Sequence, residues 1–376
     1  MGRRSAQDRS GVCVWTPLPA PGRGDDAQAR GLRFGRLRRG RGAGMVASEA
    51  ERMRDAMPQG EQDGGGTQDY VGDPRNDSVL ISVNGALTPR EEAKVSVFDS
   101  GFVLGDGVWE GLRLVEGRIA FLDRHFDRLW DGARMLRIDI GLSRAALAAR
   151  LFEVLDANAM DDGVHVRLMV TRGKKRSPYQ DPRLTVGGAT IVIIPEWKLP
   201  RPEMRARGLK LFTVHIRRTG PAEQDQKLNS HSKLNCILAC IQAMEAGADE
   251  ALMLDDRGFV ATCNATHFFI VRKGELWTSG GGFCLAGITR DAVLRAARRA
   301  GIPAYERDFS LFDVYGADEA FVTGTFAGLT PVVRVDGRPI GEPGPHDASD
   351  ASGPVTRRLR ALYKALEAEE AQGRPK

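Results

Sequence analysis

The chain has 376 residues, 42% of them hydrophobic and 27% charged, with a formal net charge of +5. No run approaches the roughly 18 consecutive apolar residues of a membrane span. Most of the positive excess lies in the first 45 residues (Arg3, Arg4, Arg9, Arg23, Arg30, Arg33, Arg36, Arg38, Arg39 and Arg41). The remainder is near neutral, so its charge makes no case for nucleic acid.

The length suits about two domains at ~150 residues each. The five cysteines form no CxxC pair. Cys236 and Cys240 are four apart on a predicted helix. They suit small core thiols in a reducing compartment, the cytoplasm, better than a zinc site. Residues 1–77 are rich in Gly, Arg, Asp and Pro without apolar periodicity, and read as a disordered or spurious extension. The arginines would suit an organelle-targeting peptide. Asp8, Asp25 and Asp26 oppose that reading, and Met45, Met53 and Met57 offer later starts.

Order is expected from Ser78, with a small α/β domain over 78–195. SVLISVNGAL reads as a strand with an Asn-Gly turn, KVSVFD as a short strand, and VWEGLRLV as a longer one after the Gly105-Asp106-Gly107 bend. A helix follows through FLDRHFDRLWDGARMLRI. Its stripe is Leu122, Phe126, Leu129, Ala133 and Leu136, with Arg128 beside it. A second helix opens at Ser143, a good N-cap, with Leu147, Leu151 and Leu155 inward. VHVRLMVT then alternates. Val164, Val166, Leu168 and Val170 take one face; His165, Arg167, Met169 and Thr171 take the other. Alternation alone leaves a solvent face and a wet cavity equally open for the polar side. A basic loop (TRGKKRS) and the strand TIVII close the domain.

Residues 196–208 read as a linker, rich in proline and charge. A larger domain over 209–376 starts at strand LKLFTVHI. It continues through helix TRDAVLRAARRA, strand EAFVTGT and a turn at VDGRP. It ends on an amphipathic helix with Val355, Leu359, Leu362 and Leu366 inward. The stretch Lys227 to Arg290 holds most of the candidate chemistry. Two lysines, short strands and a helix start fall together in it. A site for an aldehyde-bearing phosphate cofactor needs a lysine, a helix N-terminus with arginine or hydroxyls for the phosphate, and donors for a substrate carboxylate.

The segments GDGVWEGLR, HFDRL, VRLMVTRG, AGADEALMLDDRGFV, LAGITRDAV and ADEAFVTGT occur in one order over about residues 80–335. In this the sequence resembles the class IV aminotransferases. These are the pyridoxal 5'-phosphate (PLP) enzymes of fold type IV, including branched-chain and D-amino acid aminotransferases and aminodeoxychorismate lyase. The resemblance implies two α/β domains with the cofactor between them, the second a β-pseudobarrel. It implies a homodimer acting on an amino acid and a 2-oxo acid. Arg128 of HFDRL matches the phosphate-binding arginine. Ile288 and Thr289 match amides at a helix N-terminus, and Thr325 closes the phosphate cup. His165 and Arg167 match pocket-lining strand positions, and Trp109 a pocket wall. Read alone, Arg128 is an ordinary helix-surface arginine and Trp109 an ordinary core residue.

Two positions depart from the family. Its Schiff-base lysine is replaced by Asn229 or Leu228, with Lys227 upstream and Lys233 downstream. Lys233 occupies a tyrosine position near the cofactor's phenolic oxygen and is the favoured replacement, held at a helix start where the dipole lowers its pKa. Thr262 stands where relatives hold the pyridine nitrogen with Glu, and a hydroxyl cannot keep that nitrogen protonated. The expectation is a PLP-dependent aminotransferase using Lys233. A PLP lyase of the aminodeoxychorismate type and a non-catalytic PLP-binding relative are the alternatives.

Overall fold

The alternation of VHVRLMVT becomes the centre of an antiparallel sheet. The computed structural model describes residues 66–341 and 349–374; the arginine-rich start, with its targeting question and alternative starts, lies outside them. The strands in chain order are β1 (Tyr70–Val71), β2 (Leu80–Val83), β3 (Ala86–Pro89), β4 (Gly107–Val115), β5 (Arg118–Ala120), β6 (Val164–Thr171), β7 (Thr190–Trp197), β8 (Leu199–Pro200) and β9 (Leu209–Thr213). Then come β10 (Glu250–Leu254), β11 (Val260–Cys263), β12 (His267–Arg272), β13 (Glu275–Thr278), β14 (Ala304–Glu306), β15 (Glu319–Gly324), β16 (Gly328–Val335), β17 (Arg338–Pro339) and β18 (Ala371–Gln372). The helices are α1 (Ser100–Leu104), α2 (Leu122–Met135), α3 (Arg144–Ala157), α4 (Pro202–Arg207), α5 (Leu234–Glu245), α6 (Ile288–Arg299), α7 (Leu311–Tyr315) and α8 (Pro354–Glu369).

The first sheet has seven strands in the order β18-β5-β4-β6-β7-β2-β3. Each neighbouring pair is antiparallel. Val164, Val166, Leu168 and Val170 are fully buried and pack with Leu112 and Leu114 against α2 and α3. The stripe of α2 is inward as read, except that Leu136 falls at the C-cap and is only partly buried. The Ser143 hydroxyl accepts the Ala146 amide at 3.1 Å and caps α3. The opposite face of the sheet presents Trp109, Gly111 and Arg113 of β4 beside Met169, Arg167 and His165 of β6.

The second sheet runs β11-β10-β9-β16-β15-β12-β13-β14, with β17 added on β16. Strand β9 is parallel to both its neighbours, and β13 is parallel to β14. Helices α6 and α8 cover it through Ala292, Val293, Leu359 and Leu366. Beneath them Phe269 and Phe321 stack with ring centroids 5.0 Å apart and planes 4° from parallel.

Three expectations change. KVSVFD is not a strand: Val95, Val97 and Phe98 are exposed, and Asp99 accepts the Gly101 amide to start α1 instead. That helix ends at Gly105, whose φ of 67° needs glycine. The 196–208 segment carries the end of β7, then β8 and α4. Residues 66–77, read as part of an extension, contain β1 and a 3-10 turn over Pro74–Ser78, with Thr67 and Asn76 buried.

Removing one ring of the stacked pair tests the core. Phe321→Ala should lower unfolding free energy by about 3–5 kcal/mol in urea titrations. Phe312→Ala, at a residue 77% exposed, should stay within about 0.5 kcal/mol.

Candidate active site

Helix α2 crosses the covered face of the seven-stranded sheet and brings a charged cluster into the core. Glu110 of β4 is 0% exposed. Its carboxylate accepts Arg128 Nε at 2.8 Å and Nη2 at 2.7 Å, and His125 Nδ1 lies 2.7 Å from Oε2. Burial pushes the Glu110 carboxyl up, but the Arg128 charge and the hydrogen bonds from Arg128 and His125 bring it net below its usual range. Burial lowers His125, opposed by Glu110, so the imidazole stays neutral and donates through Nδ1. The third Arg128 contact is Nη1 to the Ala286 carbonyl at 2.8 Å. The guanidinium is thus aimed from both sides, and its outer N–H groups remain for a ligand.

Ala286 leads directly into α6. No side chain caps this helix at Gly287. Its first amides and its dipole therefore favour an anion beside Arg128. A Cβ on residue 287 would lie 2.4 Å from His267 Cε1, so only glycine allows this close approach. Nε2 of His267 lies 2.8 Å from the Leu285 carbonyl. Burial, with Arg290 adding, lowers this imidazole to about 3. At the end of β15, Thr323 is buried with its hydroxyl unpartnered, and Thr325 follows in the turn.

Two adjoining cavities of about 150 and 320 Å³ share Gln68, Trp109, Arg167, Asn229 and His267, and form one cleft. The first holds Arg128, His165, Ile288, Thr289 and Thr325; the second holds Lys233, Thr262 and Arg218. Among the described residues the cleft lining includes Arg128, Arg167, Lys198, Arg218 and Lys233, and contains no Asp or Glu. Trp109, Arg128, His165, Arg167, Lys233, Thr262, Ile288, Thr289 and Thr325 therefore line one cleft, and Lys227 does not.

Lys233 is the N-cap of α5, with Nζ 3.2 Å from Asn229 Oδ1 and 5.4 Å from the Trp109 ring centroid. Burial lowers its ammonium to about 8, with Cys236 opposing and Arg218 and Arg128 adding. Lys227 is exposed and lies in an outer groove with Asp225 and Arg290, which Arg128 and Ile288 also line. Arg167 lies 4.2 Å over the Trp109 ring and has no hydrogen-bond or ion-pair partner among the described residues. Burial, then Arg167, Lys198 and Arg113, lowers His165 to about 3. The Thr262 hydroxyl donates to the Thr266 carbonyl at 2.9 Å. The basic loop stays away: Lys175 is buried and donates to the Asp181 carbonyl at 3.0 Å.

Sequence reading missed Glu110, Arg218, Lys198 and the segment at Gln68. Glu110 had a signal, an acid on the apolar face of an alternating strand, where a carboxylate requires a cation. Arg218, buried with Nε unpartnered, had none, because it enters from a loop.

The family model for Amino-transferase class IV matches residues 107–335. The branched-chain-amino-acid aminotransferase-like protein 2 of Arabidopsis thaliana is 41% identical over 78% of this chain and 51% of its own length. This chain spans about half the length of that relative. A putative branched-chain-amino-acid aminotransferase of Methanocaldococcus jannaschii is 39% identical over 76% of this chain and 96% of its own. Among solved structures, the branched-chain aminotransferase of the thermophilic archaeon Thermoproteus uzoniensis with norvaline is 28% identical, covers 78% of this chain and 96% of its own, and superposes with a TM-score of 0.69. The chain belongs to the class IV aminotransferase family, and its fold is the two-domain fold type IV.

Two predictions follow from the buried charges. Glu110→Gln leaves Arg128 without its anion and should cost about 3–5 kcal/mol in urea denaturation. Asp131→Ala, which removes an exposed partner of Arg134, should cost under about 1 kcal/mol. Separately, His165 and His267 have folded pKa values of about 3, against about 6.5 unfolded. Above pH 6.5 neither state binds these protons. Below it only the unfolded chain does, so stability should fall by roughly 3 kcal/mol per pH unit as pH drops towards 4.5. Denaturation midpoints between pH 7 and 4.5 measure this; a flat profile would contradict the neutral assignment.

Proposed function

We propose that the protein is a PLP-dependent aminotransferase acting on an amino acid and a 2-oxo acid, with Lys233 as the attachment lysine. The observation that carries this is the position of Lys233. It lies in the cavity that shares Trp109, Arg167 and Asn229 with the cavity of Arg128 and the α6 start, whereas Lys227 is exposed on an outer groove that reaches Arg128 and Ile288 but neither Trp109 nor Arg167. A phosphate fits the Arg128 outer N–H groups, the Ile288 and Thr289 amides, and the hydroxyls at Thr323 and Thr325. The absence of any lining carboxylate suits an anionic cofactor.

Bound PLP supplies an aldehyde for covalent attachment to an amino group and a conjugated ring that accepts electrons from the substrate's α-carbon. Lys233, lowered to about 8, offers a substantial fraction of free amine at neutral pH, and its Nζ holds and returns the α-proton. Arg167, held flat on Trp109, takes the substrate carboxylate. His165 is neutral and serves as a hydrogen-bonding wall. Thr262 spends its hydroxyl proton on Thr266, and no carboxylate of the cleft stands ready to hold the ring nitrogen protonated.

A second copy of the chain covers the outer face of α5. Leu234, Ile237, Leu238, Ile241 and Met244 are between 44% and 65% exposed there. Such a stripe on a helix is an interface signature. Four free cysteines among the described residues support a reducing compartment, the cytoplasm. No helix of the described residues is long and apolar enough to cross a membrane.

The attachment is tested by the absorbance of the PLP-loaded protein, borohydride trapping and peptide mapping. The label should fall on Lys233, vanish in Lys233→Ala and persist in Lys227→Ala. Turnover should stop when the 2-oxo acid is omitted. Cofactor uptake should rise with pH through about pH 8, because the amine must be unprotonated. A label on Lys227 would sink the assignment. Ile241→Glu should convert the dimer to monomer in analytical ultracentrifugation.

A further inference from the structure

The segment ahead of the family match carries a part of the site that neither the motifs nor the proposed mechanism uses. Residues 66–71 run along the cleft between the segment that follows β7 and the segment that leads into β10. On one side β1 pairs antiparallel with β8, Tyr70 opposite Pro200, just past the end of β7. The Asp69 carboxylate pairs with Arg201 at 2.8 Å. On the other side Gly66 lies so close to the start of β10 that a Cβ there would be 2.7 Å from the Asp249 carbonyl oxygen. Thr67, 6% exposed, lies beside the buried Glu250 carboxyl. Between these anchors Thr67 and Gln68 line the cleft.

Lys198 lies under this strap. Its Nζ is 4.1 Å from the Tyr70 ring centroid and 5.3 Å from that of Phe326. It lines the same cavity as His165 and Arg167. Its ammonium has no hydrogen-bond or ion-pair partner among the described residues. The other lining cations are already assigned at this point. Arg128 is turned to the phosphate cup, and Arg167 to the substrate carboxylate. Lys198 and the Gln68 amide remain as donors at the mouth, and the cleft supplies no carboxylate to pair with them.

We propose that the strap 66–71 and Lys198 form the specificity wall of the cleft, which selects substrates whose side chain ends in an anionic group. The inference rests on the aminotransferase reading for the substrate's orientation. Lys198 Nζ donates to the distal group of the substrate, Gln68 adds an amide donor, and Tyr70 with Phe326 fixes the ammonium by cation–π contact. An aliphatic side chain in the same position leaves the partly buried ammonium without an acceptor among the described lining residues, which disfavours it.

The test uses the full chain loaded with PLP and two non-reacting probes, glutarate and 4-methylvalerate, titrated by calorimetry. The wild type should bind glutarate about tenfold more tightly than 4-methylvalerate. Lys198→Met should remove that preference while leaving 4-methylvalerate affinity within about twofold, and Lys198→Arg should restore it. Gln68→Ala should weaken glutarate alone, by a smaller factor. Equal weakening of both probes in Lys198→Met would mark a structural lysine and overturn the proposal, as would a wild type that prefers 4-methylvalerate. Cofactor loading is read from absorbance in the same samples. A protein that takes up no chromophore overturns the aminotransferase reading, while the probe comparison still decides the role of Lys198.

Discussion

The buried pair of Glu110 and Arg128 is the interaction on which the arrangement depends. It joins β4 to α2 inside the first sheet's core, and through the Ala286 carbonyl it reaches the residues that start α6. An arginine on an amphipathic helix would otherwise extend to solvent. Here a fully buried carboxylate holds it in a fork geometry, and His125 satisfies a remaining lone pair. The pair resists the tendency of burial to neutralise the acid because the partner charge is fixed at hydrogen-bond distance. One consequence is structural, since a single guanidinium links the first sheet to the loop that leads into α6. The other is chemical, since the same guanidinium keeps free N–H groups beside an uncapped helix start.

The rest of the cleft follows an unusual electrostatic pattern. Among the described residues five cationic side chains line it and no acid does. Its two histidines at the lining, His165 and His267, respond by staying neutral. Lys233 responds with a pKa of about 8. Glu110 already neutralises Arg128, but the other four cations have no ion-pair partner among the described residues, and an anionic ligand relieves that charge. The same field acts on the amine at Lys233, where like charge and burial both favour the unprotonated, reactive form. The changes at Asn229 and Thr262 are therefore compatible with a working site. The proposed attachment amine stands at the N-cap of α5, and the proton of the Thr262 hydroxyl is engaged locally.

Two further features lie outside the family's motifs. The strap at residues 66–71 is held at both ends by backbone pairing, a salt bridge and close packing, so its cleft-facing residues have fixed positions. The exposed apolar stripe of α5 begins one residue after Lys233. A partner covering that stripe would also order the helix that carries the candidate attachment lysine.

Local chemistry was legible in the sequence wherever a short-range rule decides the outcome. The period of two in VHVRLMVT sorted β6 into a core face and a cleft face, and the 3.6-residue period placed α2, α3 and α8. Ser143 marked a helix start because capping is a contact between residues three apart. The motif order pointed to Arg128, Ile288, Thr289, Thr325, His165 and Arg167 as neighbours, and they line one cleft. What stayed hidden was set by packing between distant segments. KVSVFD has strand composition, but its apolar side chains are exposed and Asp99 turns its end into a helix start. The sequence favoured Lys233 over Lys227 only through the resemblance; the turn between them sends Lys233 into the cleft and Lys227 to the surface. Lys198, Arg218 and Gln68 come from loops and from an apparently featureless leader. Their side chains meet only once the two sheets are joined, because position across the cleft depends on long-range contacts that no local periodicity encodes.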